Sequence, residues 1–107
     1  MTSNVNLGIS LAMTNEDLRY LIREIVDDED ELNQILILDG DEFADGAIGL
    51  SEDNHLVYDF NKMVESLEKH NNWSEEEAIE WIEYNTLRSL SYMEGVGKKP
   101  IVMRGFY

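Results

Sequence analysis

Apolar positions along this chain switch between helical and strand spacing, with turn and capping residues at the joins. Leu18, Leu21, Ile22 and Ile25 recur at helical spacing and follow Thr14, an N-cap with Asp17 three residues on. They predict an amphipathic helix over residues 15–26, with Glu16 and Asp17 at the positive end of its dipole. The like-charge block at residues 27–31 would extend that helix only at a repulsive cost, so it reads as a loop or a fraying end. Ile35-Leu36-Ile37-Leu38, closed by Asp39-Gly40, reads as a short buried strand. Ala47 to Leu50 and residues 55–60 read as two further strands. The turn residues Ser51-Glu52-Asp53-Asn54 join them into a hairpin.

The second half is marked more sharply. Asp59 or Asn61 caps a helix whose inner face carries Met63, Val64 and Leu67. That helix ends near His70-Asn71-Asn72, where Asn suits a left-handed terminal position. Trp73-Ser74-Glu75-Glu76-Glu77-Ala78 matches a capping box, Ser74 with Glu77, and a staple, Trp73 with Ala78. Ala78, Ile79, Trp81, Ile82, Asn85 and Leu87 then carry a helix to about Leu90. Gly95-Val96-Gly97 breaks it, and Pro100 leads into a strand at Ile101-Val102-Met103. Residues 1–13 lack a clear period and read as an arm or an edge strand through Leu7, Ile9 and Leu11. The expected architecture is α+β: a single small domain over residues 14–107, with about three helices on a three- or four-stranded, mainly antiparallel sheet.

Charge changes the picture more than composition does. The 107 residues hold 23 Asp and Glu against 8 Lys and Arg, a formal net charge of −15. Residues 24–59 contain no Lys or Arg. A second acidic group is Glu75, Glu76, Glu77, Glu80 and Glu83, while Lys98, Lys99 and Arg104 make the far end basic. An apolar fraction of 43% is enough for a small core. No apolar run is long enough to span a bilayer, and Met1-Thr2-Ser3-Asn4 does not resemble a secretory signal. With no cysteine, neither disulfides nor thiolate metal sites arise. The expected location is the cytoplasm. The charge opposes direct binding to nucleic acid or to an anionic membrane, since both attract positive potential.

Motifs for chemistry are few. Residues 41–52 partly fit a calcium loop, with Asp41 first, Asp45 fifth, Gly46 at the sharp turn and Glu52 last. Phe43 stands where a ligand oxygen is needed, and the flank reads as strand rather than helix. The plainer reading is an acidic loop entering a strand, with Phe43 and Ile48 packed inward. His55 and His70 form no metal-ligand spacing. Gly95-Val96-Gly97-Lys98-Lys99 lacks the first glycine and the Ser or Thr of a phosphate loop. No nucleophile elbow is present. Trp81, Tyr84 and Asn85 share one helix, and Asn85 reads first as an amide serving a nearby backbone group.

Phe43-Ala44-Asp45, Ile48-Gly49, Leu56-Val57-Tyr58-Asp59, Glu76-Glu77-Ala78-Ile79-Glu80-Trp81, Tyr84-Asn85-Thr86 and Pro100-Ile101-Val102 occur in that order. In these positions, spread over residues 35–103, the chain resembles small acidic proteins encoded by phages and prophages, a group without an established function. The resemblance implies a viral or mobile-element origin and carries over no active-site residue.

Three functional expectations follow. The first is an interaction protein, in its sharpest form an inhibitor of a host nucleic-acid-binding protein through nucleic-acid mimicry. Asp27, Asp28, Asp30 and Glu31 would form one group of phosphate-like charges, and Glu75, Glu76, Glu80 and Glu83 another. The partner would be a host or phage protein with a basic surface. The second is an assembly accessory that homo-oligomerises. The third is a divalent-metal-binding protein or enzyme using Asp41, Asp45 and Glu52. The first leads because no catalytic pattern matches; it needs no cofactor and no enzymatic activity.

Overall fold

Thr14 starts helix α1 (Asn15–Ile25) with a complete capping box. Its hydroxyl accepts the Asp17 N–H at 3.1 Å, and the Asp17 carboxylate accepts the Thr14 N–H at 3.1 Å. The computed structural model describes residues 13–93 and 95–106. The arm or edge strand expected over residues 1–13 lies outside these, apart from Met13. Leu18, Ile22 and the following Val26 are buried. Leu21 and Ile25, expected on the inner face, are 46% and 68% exposed, so the buried stripe is narrower than the apolar one.

The acidic block does not fray. Asp28 caps helix α2 (Glu29–Gln34), accepting the Asp30 N–H at 3.0 Å. Glu29, Asp30 and Glu31 occupy its first turn. Their mutual repulsion is offset by the positive helix end and its unpaired N–H groups.

The strand expected at residues 35–38 is absent. Only Ile35 pairs, in an isolated parallel bridge with Lys98. Ile35 and Leu38 are buried nonetheless. Hydrophobicity draws the segment inward, while its backbone finds partners outside any sheet. Leu36 N–H donates to the Lys98 carbonyl at 3.0 Å, and Lys98 N–H donates to the Gln34 carbonyl at 2.7 Å. Leu38 N–H donates to the Tyr58 hydroxyl at 3.1 Å, and the Leu38 carbonyl accepts from Asn15 Nδ2 at 3.1 Å. Every such group needs a partner once buried, and a ladder is only one way to supply it.

A 3₁₀ turn (Asp41–Gly46) buries Phe43 and Ala44 and leads into β1 (Ala47–Leu50). Ile48 faces outward rather than into the core, which corrects its expected placement. Strand β1 pairs antiparallel with β2 (Leu56–Asp59), the expected hairpin. Strand β3 (Ile101–Met103) pairs parallel with β2, so the order is β1-β2-β3 and the sheet is mixed rather than mainly antiparallel. Three further helices lie between β2 and β3, and a crossover of that length lets a strand return in the same direction.

Asp59 caps α3 (Phe60–Asn71), accepting the Lys62 N–H at 3.2 Å. Phe60, Met63, Val64 and Leu67 bury its inner face. Asn72 ends it in the left-handed conformation, with φ 57°. The chain then forms α4 (Glu75–Trp81), a π-helical turn (Ile82–Thr86) and α5 (Leu87–Tyr92), where one uninterrupted helix was expected. The described residues thus form an α+β domain of five α-helices and three strands. None of the described helices is long and apolar enough to cross a membrane.

Candidate functional site

Helix α4 is held at both ends. At its start, the Ser74 hydroxyl accepts the Glu77 N–H at 3.2 Å and Glu77 Oε1 accepts the Ser74 N–H at 3.0 Å. Ala78 and Ile82 are fully buried and tie it to the core. Trp73, just before the cap, and Trp81, at the end of the helix, come together with ring centroids 5.4 Å apart and planes tilted by 55°. Trp81 is 41% exposed and Tyr84 67% exposed, which leaves large apolar rings facing solvent. Trp73, Glu77, Glu80, Trp81, Tyr84 and Asn85 line an open cleft of about 480 Å³.

The π turn shapes the neighbouring surface. A π turn carries an extra residue, so the side chains beyond it rotate relative to a regular helix, and such turns are frequent at functional sites. Trp81 and Asn85 border the first cleft and also a second of about 400 Å³. Asp39, Glu42, Thr86 and Tyr92 line this second cleft as well. Thr86 is only 4% exposed, and its Oγ1 is buried without a hydrogen-bond partner. Leaving such a hydroxyl unpaired costs about 1–3 kcal/mol.

Two arginines lie near these elements. Arg88 sits over the Tyr84 ring, 5.9 Å from its centroid. Arg104 lies 4.1 Å from the Phe60 ring centroid and pairs with Glu83 at 3.1 Å. That ion pair is exposed and contributes little to stability.

Of the acids singled out from the sequence, Asp27, Asp28 and Asp30 are exposed around the α1–α2 junction, Asp28 as a cap. Glu31 is half-buried and paired with Lys98, and it accepts from Asn54 Nδ2 at 3.3 Å. The Lys98 ammonium beside it, with Asn54, holds its carboxyl below the usual carboxylate range. Lys98 also donates to the Asp53 carbonyl at 2.6 Å. Glu75, Glu76 and Glu80 are exposed on α4, and Glu83 is exposed on the π turn and paired with Arg104.

Asp41, Asp45 and Glu52 are not brought together as ligands. Asp41 Oδ1 accepts the Asn15 N–H at 2.9 Å. Asp45 Oδ1 accepts the Met13 N–H at 2.8 Å, and its other oxygen lies 3.9 Å from His70 Nε2. Glu52 is exposed in the hairpin turn. Among the described residues, no three His, Asp or Glu side chains are grouped so as to hold a metal ion.

The pairing of Trp73 with Trp81 and the position of Thr86 were not evident from spacing. The staple motif directs Trp73 along α4, which is the one local signal for the pair. The π turn left no mark in the apolar pattern. Comparison with protein-family models, with curated proteins and with solved structures found no match to this chain.

Proposed function

We propose that this chain is a small acidic interaction protein that docks on the basic surface of a partner protein. In its sharpest form it inhibits a nucleic-acid-binding protein of a phage host by presenting carboxylates in place of phosphates. The observation that carries this reading is charge left unbalanced on the surface. The net charge is −15, and Asp27, Asp28, Asp30, Glu75, Glu76 and Glu80 are exposed with no ion pair among the described residues. Like charges held on a folded scaffold repel one another, and a basic partner relieves that repulsion while being steered to the site. The resemblance to phage and prophage proteins supports a host nucleic-acid-binding protein as the partner, met in the host cytoplasm.

The test is binding to basic nucleic-acid-binding proteins of the host across a salt series. Affinity is expected to fall steeply with salt. The Asp27→Asn, Asp28→Asn, Asp30→Asn set and the Glu75→Gln, Glu76→Gln, Glu80→Gln set are expected to weaken it. A flat salt response would overturn the reading.

A second reading, assembly by self-association, is favoured by one feature. Among the described residues β1 lies at the edge of the sheet, and Leu21, Ile25 and the β1 residue Ile48 are all exposed around a cleft of about 310 Å³. Sedimentation at high concentration distinguishes it: concentration-dependent dimers support assembly, and a strict monomer removes it.

A further inference from the structure

We propose that the cleft of Trp73, Trp81 and Tyr84 is a seat for an arginine side chain of the partner, with its guanidinium stacked on Trp81 and facing Glu80. This rests on the reading of a basic partner, and adds which side chain is recognised and where. Exposed aromatic faces attract cations through the ring quadrupole, and tryptophan does so best. The rim supplies the countercharge: Glu80 is exposed in the cleft, and Glu77 uses only Oε1 to cap its helix. Among the described residues no basic side chain lines it, and Arg88 sits over the Tyr84 ring, 5.9 Å from its centroid.

The fold already holds an arginine of its own in this way. Arg104 lies over the Phe60 ring while the Glu83 carboxylate binds the same guanidinium. The Trp81 cleft likewise has aromatic rings and carboxylates on its lining. Arginine is favoured over lysine because a planar guanidinium stacks on a ring and donates in its own plane to a carboxylate.

A second observation points to a bound chain rather than to a lone cation. The adjoining cleft shares Trp81 and Asn85 with the first, so the two meet at these residues. Asp39 and Glu42 line that second part and add carboxylates to it. A peptide extending from the seated arginine runs past these carboxylates.

The chain's two tryptophans are both in the seat, so selectively excited tryptophan emission reports on it. The probes are a Gly-Arg-Gly-Arg-Gly peptide, its lysine counterpart, and its citrulline counterpart, which keeps the shape and loses the charge. The arginine peptide is expected to shift the tryptophan emission and, by calorimetry, to bind about fivefold more tightly than the lysine peptide. The citrulline peptide is expected not to bind. Trp81→Ala should weaken arginine-peptide binding about fivefold or more, and Trp81→Phe, which keeps a ring, by less. Circular dichroism and a urea midpoint confirm that both variants fold.

Equal binding of both basic peptides, with unchanged emission and no loss in Trp81→Ala, would overturn the seat. It would leave the broader acidic-surface reading standing. Salt-dependent capture of a host protein that is indifferent to Trp81→Ala would do the same. Failure of every basic peptide and of every basic host protein would overturn both.

Discussion

The backbone N–H of Leu38 donates to the hydroxyl of Tyr58 at 3.1 Å, inside the core. Here a side chain on the central strand stands in for the strand neighbour that residues 35–38 lack. Tyr58→Phe keeps the ring and removes the acceptor. It is expected to cost about 1–3 kcal/mol, because a buried N–H is left unpaired. Urea denaturation of the variant beside the parent checks this, and an unchanged midpoint would show the bond to be dispensable.

Tyr58 also sets an alkaline limit. Burial pushes its hydroxyl up to about 12, although the Leu38 N–H bond acts in the opposite direction. The folded state therefore keeps a proton that the unfolded chain releases near pH ~10. Stability is expected to be full below that value and to fall as pH rises toward the folded value. Tyr58→Phe should flatten this alkaline slope, which denaturation at a series of pH values measures.

Glu31 and Lys98 set the acid side. Glu31 titrates below its ordinary value because Lys98 and Asn54 favour the carboxylate. Its contribution is present above the unfolded carboxylate range and is lost as pH falls through the lowered folded value. Lys98→Met should reduce stability at neutral pH and shrink the parent's loss on acidification. Parallel curves for parent and variant from neutral to acid pH would contradict this.

Gly97 guards the contact that replaces the expected strand. A Cβ there would lie 2.7 Å from the Gln34 carbonyl oxygen, which is backbone and accepts the Lys98 N–H. Gly97→Ala is expected to cost about 1–3 kcal/mol by forcing the two segments apart. Hydrogen exchange at the Leu36 and Lys98 amides should accelerate in the variant, with urea unfolding giving the stability loss.

Ser74 holds the aromatic cleft indirectly. Ser74→Ala removes the acceptor for the Glu77 N–H and is expected to cost about 1 kcal/mol. Because Trp73 adjoins this cap and stacks near Trp81, the variant's tryptophan emission should change as well. Ser74→Thr, which keeps a hydroxyl, should restore both.

What was legible in the sequence was local. The capping boxes of Thr14 with Asp17 and Ser74 with Glu77, the Asp59 cap and the left-handed Asn72 all form as the residues indicate. Each involves groups a few positions apart, so its chemistry is complete within a short window. The acidic block at residues 27–31 is also local, yet it starts a helix where a loop or fraying end is expected. The Asp28 cap and the helix dipole prevail there over like-charge repulsion.

By itself, the sequence determined the α+β class, the hairpin, the starts of α1, α3 and α4 and an acidic surface, because propensity, capping and charge act over short distances or not through the fold at all. Tertiary structure alone decided the rest. Whether residues 35–38 became a strand depended on Lys98 and Tyr58, which are distant in the chain. The parallel return of β3 depended on the helices crossing between the strands. The tryptophan cleft depended on how a capped helix and a π turn settle on the core. Side chains far apart in sequence meet only after loop-closure entropy has been overcome by burial elsewhere, and no short stretch of residues records which of them will do so.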